Sequence, residues 1–118
     1  MGDQAKALRE CYRVLKTDIV SGLCDIFQGK LDAIILYGSV ARGDNDSESD
    51  VDIALIVSSV MEDAERGRFF QWNADMDLKY EKVFSIIDIN KEILEQWKNV
   101  VPFYQNIYDE GVVLWKAA

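Results

Sequence analysis

Histidine is absent from this 118-residue chain. That absence removes serine–histidine–aspartate and cysteine–histidine catalysis, and every zinc site that needs an imidazole. Cysteine is nearly as scarce, with only Cys11 and Cys24. Both fall in one predicted helix, thirteen residues apart. At about 1.5 Å per residue they lie about 20 Å apart along its axis, which excludes a disulfide within a straight helix. A reducing cytoplasm is the setting such a chain suits. No apolar stretch nears the roughly 20 residues of a membrane-spanning helix, and no signal peptide is expected. Bases are in the minority, 13 against 21 acids, for a net charge of −8. Nucleic-acid surfaces need clustered Lys and Arg, so direct nucleic-acid binding is not expected. The acidic balance leaves room for a basic protein partner.

About half of the residues are apolar, as in a globular chain, and residues 1–118 are expected to form one domain with a core of its own. Leu8, Cys11, Tyr12, Leu15, Ile19, Leu23, Ile26 and Phe27 recur at helical spacing, so the pattern predicts a long amphipathic helix over 4–27 that breaks at Gly29-Lys30. Ala33–Tyr37 and Ile53–Val57 are short, uniformly apolar runs that suit buried strands. Residues 43–49 carry the Gly, Asp, Asn and Ser of a loop. A helix is predicted from Met61 to about Tyr80, with Phe69, Phe70, Trp72, Met76 and Tyr80 turned to the core. A third strand follows at Val83–Ile89, and a helix at Lys91–Asn99. The one proline, Pro102, marks a break before a helix at Phe103–Asp109. Gly111 reads as a helix cap, with Val112–Trp115 extended beyond it. The order α, β, β, α, β, α, α predicts an α/β (α+β) fold, a small mixed sheet of three or more strands flanked by helices.

The most informative stretch runs Gly38-Ser39-Val40-Ala41-Arg42-Gly43-Asp44-Asn45-Asp46-Ser47-Glu48-Ser49-Asp50-Val51-Asp52. Alternate strand residues share a face, so Asp50 and Asp52 should project together, their Cα atoms roughly 6.5 Å apart. Two carboxylates that close repel unless a cation lies between them. Mg²⁺ is commonly held by one or two carboxylates together with substrate phosphates. Gly38 allows a sharp turn and close approach of a phosphate, and Ser39 offers a hydroxyl and an N–H. Arg42 has two readings, a fork onto phosphate oxygens or an ion pair with the neighbouring acids. Two other motifs fail. Gly38-x-x-x-x-Gly43 has the glycine spacing of a P-loop, but Asp44-Asn45 follows where Lys-Ser/Thr is required. The acidic run from Asp44 lacks the glycine and the closing glutamate of a calcium loop, having Ser49 and Leu55 there.

Gly-Ser, ten residues and Asp-x-Asp, with Ala41-Arg42-Gly43-Asp44 after the serine, resembles the minimal nucleotidyltransferase family of the polymerase-beta-like superfamily. The leading helix, the short length and the closing Glu110-Gly111-Val112-Val113-Leu114-Trp115 also look like this family. The resemblance implies a nucleotidyltransferase fold. It also implies triphosphate contacts at Gly38 and Ser39, and Mg²⁺ at Asp50 and Asp52, which would be the catalytic pair. It implies an enzyme that moves AMP from Mg·ATP to a hydroxyl. Relatives of this size commonly accompany a HEPN ribonuclease as its antitoxin. The acceptor implied is therefore a tyrosine of such a toxin, in a homo- or hetero-oligomeric assembly.

Many relatives carry a third carboxylate on the next strand, where this chain has Ser85. Asp88 has the wrong parity to share that face, and Asp77 and Glu81 serve only if the strand starts earlier. Two alternatives therefore stand beside the enzyme: a binding module that neutralises its partner by occlusion, and a small-molecule nucleotidyltransferase. Trp72, Trp97, Trp115, Phe103 and Tyr104 are expected chiefly in the core, with an adenine-stacking wall or interaction face as the other reading.

Overall fold

The computed structural model describes residues 2–43 and 50–118, with side chains described from Arg13 onward in the first helix. The acidic loop 44–49, including Asp44, Asp46 and Glu48, lies outside the described residues. The elements are α1 (Gly2–Ile26), β1 (Leu31–Tyr37), α2 (Gly38–Arg42), β2 (Val51–Val57), α3 (Asp63–Tyr80), β3 (Phe84–Asn90), α4 (Lys91–Trp97), α5 (Pro102–Glu110) and β4 (Val112–Lys116). Among the described residues no helix is long and apolar enough to cross a membrane.

The strands form one sheet in the order β3-β2-β1-β4. β1 is antiparallel to both β2 and β4, whereas β2 and β3 are parallel. A parallel pair needs a crossover, and α3 supplies it. Strand alternation then divides the core. Ile34 and Leu36 of β1 and Val51, Ile53, Leu55 and Val57 of β2 pack with Ile19 and Leu23 of α1 and Phe69 and Met76 of α3. Ala33, Ile35, Ala54, Ile56 and Ile89 face the other way, against Leu94 of α4 and Ile107 of α5. The sheet is covered by helices on both faces, as the apolar runs of its central strands require.

Local chemistry fixes the ends. Glu62 and Glu65 close a capping box at the start of α3. Asn90 accepts from the N–H groups of Glu92 and Ile93 at 2.9 and 3.2 Å and starts α4. Pro102 occupies the first turn of α5, where its missing N–H costs nothing. Three expectations need correction. Phe70 is 58% exposed, because neighbouring Phe69 takes the position facing the sheet. Gly111 caps α5 as expected, its N–H donating to the Ile107 carbonyl, but its backbone is extended rather than left-handed, and a side chain there would strike the Ile107 carbonyl and the Ile35 side chain. Of the five grouped aromatics, Trp72, Tyr104 and Trp115 pack on the core, whereas Trp97 and Phe103 remain 43% and 41% exposed. Both cysteines lie in α1, as expected, and Cys24 is a free thiol whose pKa burial pushes up.

Candidate active site

Tyr37, Asp52 and Ser85 form a row across three strands. Tyr37 of β1 is the register partner of Asp52 on β2, and Asp52 is the register partner of Ser85 on β3. All three therefore lie on the α4/α5 face, where the smaller cluster packs. Ser85 thus occupies the position opposite Asp52 that the sequence assigned to it. Asp88 pairs with Leu55 instead, and Leu55 belongs to the opposite face. Neither earlier acid completes the site. Asp77 lies on α3 and accepts from the Phe84 N–H at 2.9 Å and the Asn73 amide at 3.4 Å, fixing the start of β3. Glu81 is the exposed C-cap of α3, with φ 53°. Among the described residues no group of three or more His, Cys, Asp or Glu side chains is gathered to hold a metal.

Gly38 is where the turn and the carboxylate meet. Its φ of +77° lies in the left-handed region, and a Cβ there would collide with the Asp52 carboxylate. The glycine is required twice, by conformation and by space. α2 begins at this residue, so Ser39 and Arg42 belong to a five-residue helix that follows the turn expected at Gly38-Ser39. The helix closes on Gly43, whose N–H donates to the carbonyls of Ser39 and Val40 at φ 79°. The first N–H groups of a helix lack an intrahelical acceptor, and α2 starts beside Asp52.

Asp52 is half-buried, and Asp50, just before β2, is exposed. Burial pushes the Asp52 carboxyl above the ordinary aspartate pKa. The Asp50 charge pushes the same way, and the Arg42 guanidinium opposes them. The two acids are close enough to repel, as the motif spacing predicts. Arg42 also pairs with Glu110 of α5 at 3.5 Å, both side chains being 45% exposed. The ion-pair reading of Arg42 is met at Glu110, an acid distant in sequence, and its charge also acts on Asp52.

Sequence reasoning missed Tyr37 as part of the site. Burial raises its phenol pKa, and the charge of Asp52 adds to the effect. Its ring meets Phe103 edge-on at 5.6 Å between centroids, so α5 forms one wall beside Asp52. The available signal was its place immediately before Gly38.

The donor set fits a divalent cation. Two carboxylates lie together, and the pKa of Asp52 is raised first by burial and then by the charge of Asp50, a repulsion that a cation would relieve. Two carboxylates are too few for a closed protein cage and suit a cation that keeps other oxygen ligands.

The comparisons with known proteins agree with this architecture. Two Methanocaldococcus jannaschii proteins provisionally named protein adenylyltransferases are similar to the chain. One is 35% identical over 95 residues, covering 80% of this chain and 92% of that protein. The other is 33% identical over 117 residues, covering 96% and 99%. Two solved structures share the fold. A toxin–antitoxin complex with AMP-PNP superposes with a TM-score of 0.62 at 22% identity, covering 86% of this chain and 73% of that one. A tri-AMPylated Shewanella oneidensis HEPN toxin in complex with an MNT antitoxin gives 0.57 at 18% identity, covering 89% and 72%. The family model described as polymerase beta, nucleotidyltransferase matches residues 23–117, from the end of α1 through β4. This chain belongs to that family and is a nucleotidyltransferase.

Proposed function

We propose that this chain transfers AMP from Mg·ATP to a tyrosine hydroxyl of a HEPN ribonuclease partner, silencing it as an antitoxin in the cytoplasm. The observation that carries the reading is the placement of Asp52, with its raised pKa, between the Gly38-Ser39 turn and the neighbouring Asp50. The names of the relatives and of the fold neighbours support the substrate and partner.

The residues divide the work. Gly38 lets the triphosphate lie against the backbone, and Ser39 donates its hydroxyl and N–H to phosphate oxygens. Asp50 and Asp52 would hold Mg²⁺, which when bound neutralises phosphate charge and the departing pyrophosphate. The acceptor oxygen forms a bond to the α-phosphorus as the bond from that phosphorus to the pyrophosphate oxygen breaks. The acceptor's proton leaves to solvent, because Ser85 stands across from Asp52 where a third carboxylate would take it. Arg42 adds positive charge at the edge of the phosphate path.

The test is the intact mass of the cognate HEPN protein after incubation with Mg·ATP. A gain of AMP on tyrosine with wild type, absent with Asp52→Asn, is expected. An unmodified toxin under saturating ATP would overturn the enzymatic reading. Ser85 favours a second reading, because no carboxylate stands across β3 from Asp52. In that reading the chain neutralises its partner by occlusion, and the Asp50→Asn/Asp52→Asn double variant still protects cells and still co-purifies with the toxin.

A further inference from the structure

The α4–α5 corner leaves apolar surface uncovered on the Asp52 side of the sheet. Trp97 is 43% exposed, Val100 65% and Phe103 41%. The turn that carries them is fixed, with the N–H groups of Val100 and Val101 donating to the Trp97 carbonyl at 3.0 and 2.9 Å. Phe103 touches Tyr37, the register partner of Asp52. The patch therefore begins one side chain from the reactive carboxylate. Ile87 of β3, two residues beyond Ser85 on the same face, is 36% exposed. The exposed Phe70 and Leu78 lie on α3, across the sheet. A contiguous apolar patch marks an interaction surface, whereas isolated exposed side chains do not.

Charge selects the occupant. Residues 91–110 carry four acids, Glu92, Glu95, Asp109 and Glu110, against Lys91 and Lys98. Both lysines already face acids, Lys98 on Glu95 at 3.0 Å and Lys91 on Asp32 at 3.3 Å. Arg42 in turn pairs with Glu110, and with Arg42 and Asp32 included the acids of the rim still outnumber its bases, five to three. A second copy of this chain, at net charge −8, would bring like charge to it. An apolar anchor ringed by basic residues complements it.

We propose that this corner docks the protein acceptor: a basic partner seats an apolar side chain against Trp97 and Val100 and thereby delivers its hydroxyl to Asp52. The proposal rests on the reading that the acceptor is a protein. Its test uses the purified cognate HEPN protein with wild type, Trp97→Asp, Val100→Asp and, as a control across the sheet, Leu78→Asp. Complex formation is measured without nucleotide, AMP transfer with Mg·ATP, and Mg·ATP binding alone by calorimetry.

Each corner variant should weaken the complex at least about tenfold and raise KM for the HEPN protein in step. kcat at saturation and Mg·ATP binding should hold, and Leu78→Asp should behave as wild type. Val100→Asp, on the exposed connection, carries the test if Trp97→Asp does not fold. Corner variants that bind and modify like wild type overturn the docking surface and leave the enzymatic reading standing. A wild-type complex that the corner variants weaken but that transfers no AMP overturns the enzymatic reading and leaves the docking surface. A wild-type chain that self-associates through the corner, with the dimer lost in Val100→Asp, assigns the patch to a second copy and overturns the proposal.

Discussion

The two faces of the sheet have been given different tasks. The α1/α3 face is thick, and its buried side chains among the described residues are apolar, with Leu23, Ile34 and Ile53 at 0% exposure and Phe27 and Leu55 at 1%. The α4/α5 face is thinner, covered by two short helices, and at one end its apolar stripe gives way to Tyr37, Asp52 and Ser85. β2 belongs to both faces at once. Val51, Ile53, Leu55 and Val57 anchor it on one side, so the other side can carry a partly desolvated aspartate without the strand moving. One face supplies the rigidity and the other uses it.

Breaking the chemical face alone gives the largest effect. Asp52→Asn or Asp50→Asn should lower AMP transfer by about 10²–10⁴-fold while far-ultraviolet circular dichroism stays unchanged. Breaking the structural face gives the converse. Leu23→Ala should cost about 2–5 kcal/mol in denaturant unfolding yet leave activity per folded molecule near wild type. Leu94→Ala, on the α4/α5 face, should both destabilise and slow transfer, because Leu94 belongs to the cluster on which Tyr37 packs. Equal loss of activity from Leu23→Ala and Leu94→Ala would erase the distinction between the faces.

Smaller effects sharpen the comparison. Gly38→Ala forces a side chain into a left-handed backbone and against Asp52, and should cost about 1–3 kcal/mol of stability together with most of the nucleotide affinity. Asp52→Asn should raise the melting temperature at neutral pH. The folded state raises the Asp52 pKa, so ionised Asp52 disfavours folding once the pH exceeds the unfolded value. As the pH falls below that value, Asp52 is protonated in both states and the advantage of the variant should vanish. Thermal melts across this range check the sign, and a melting temperature lowered by Asp52→Asn at neutral pH contradicts it.

Much of this was legible in the sequence because the signals were local. Apolar runs located β1 and β2, and the Gly38-to-Asp52 spacing placed both carboxylates at one strand end. The errors have physical causes. β2 begins at Val51 rather than Ile53, because Asp52 interrupts the apolar run that defines the strand. The aspartate thus hid the start of the strand that positions it. α2 spans five residues, too few for helical periodicity to register. Parity alone excluded Asp88 and assigned Ser85 to the place across from Asp52, and the parallel register agrees. Asp77 was out of reach, since its partner is the Phe84 N–H, a contact made only after α3 packs back on the sheet. Tyr37 joined the site through its pairing with Asp52 and its contact with Phe103, and neither is encoded by neighbours in sequence.

The central claim is that Asp50 and Asp52, set against the Gly38-Ser39 turn, bind a divalent cation together with a nucleoside triphosphate. Calorimetric titration of a non-hydrolysable ATP analogue in magnesium buffer tests it most directly. Wild type should bind, and Asp52→Asn should lose at least about tenfold in affinity. Equal binding by the two proteins, or no binding by wild type with or without its HEPN partner, would contradict the account.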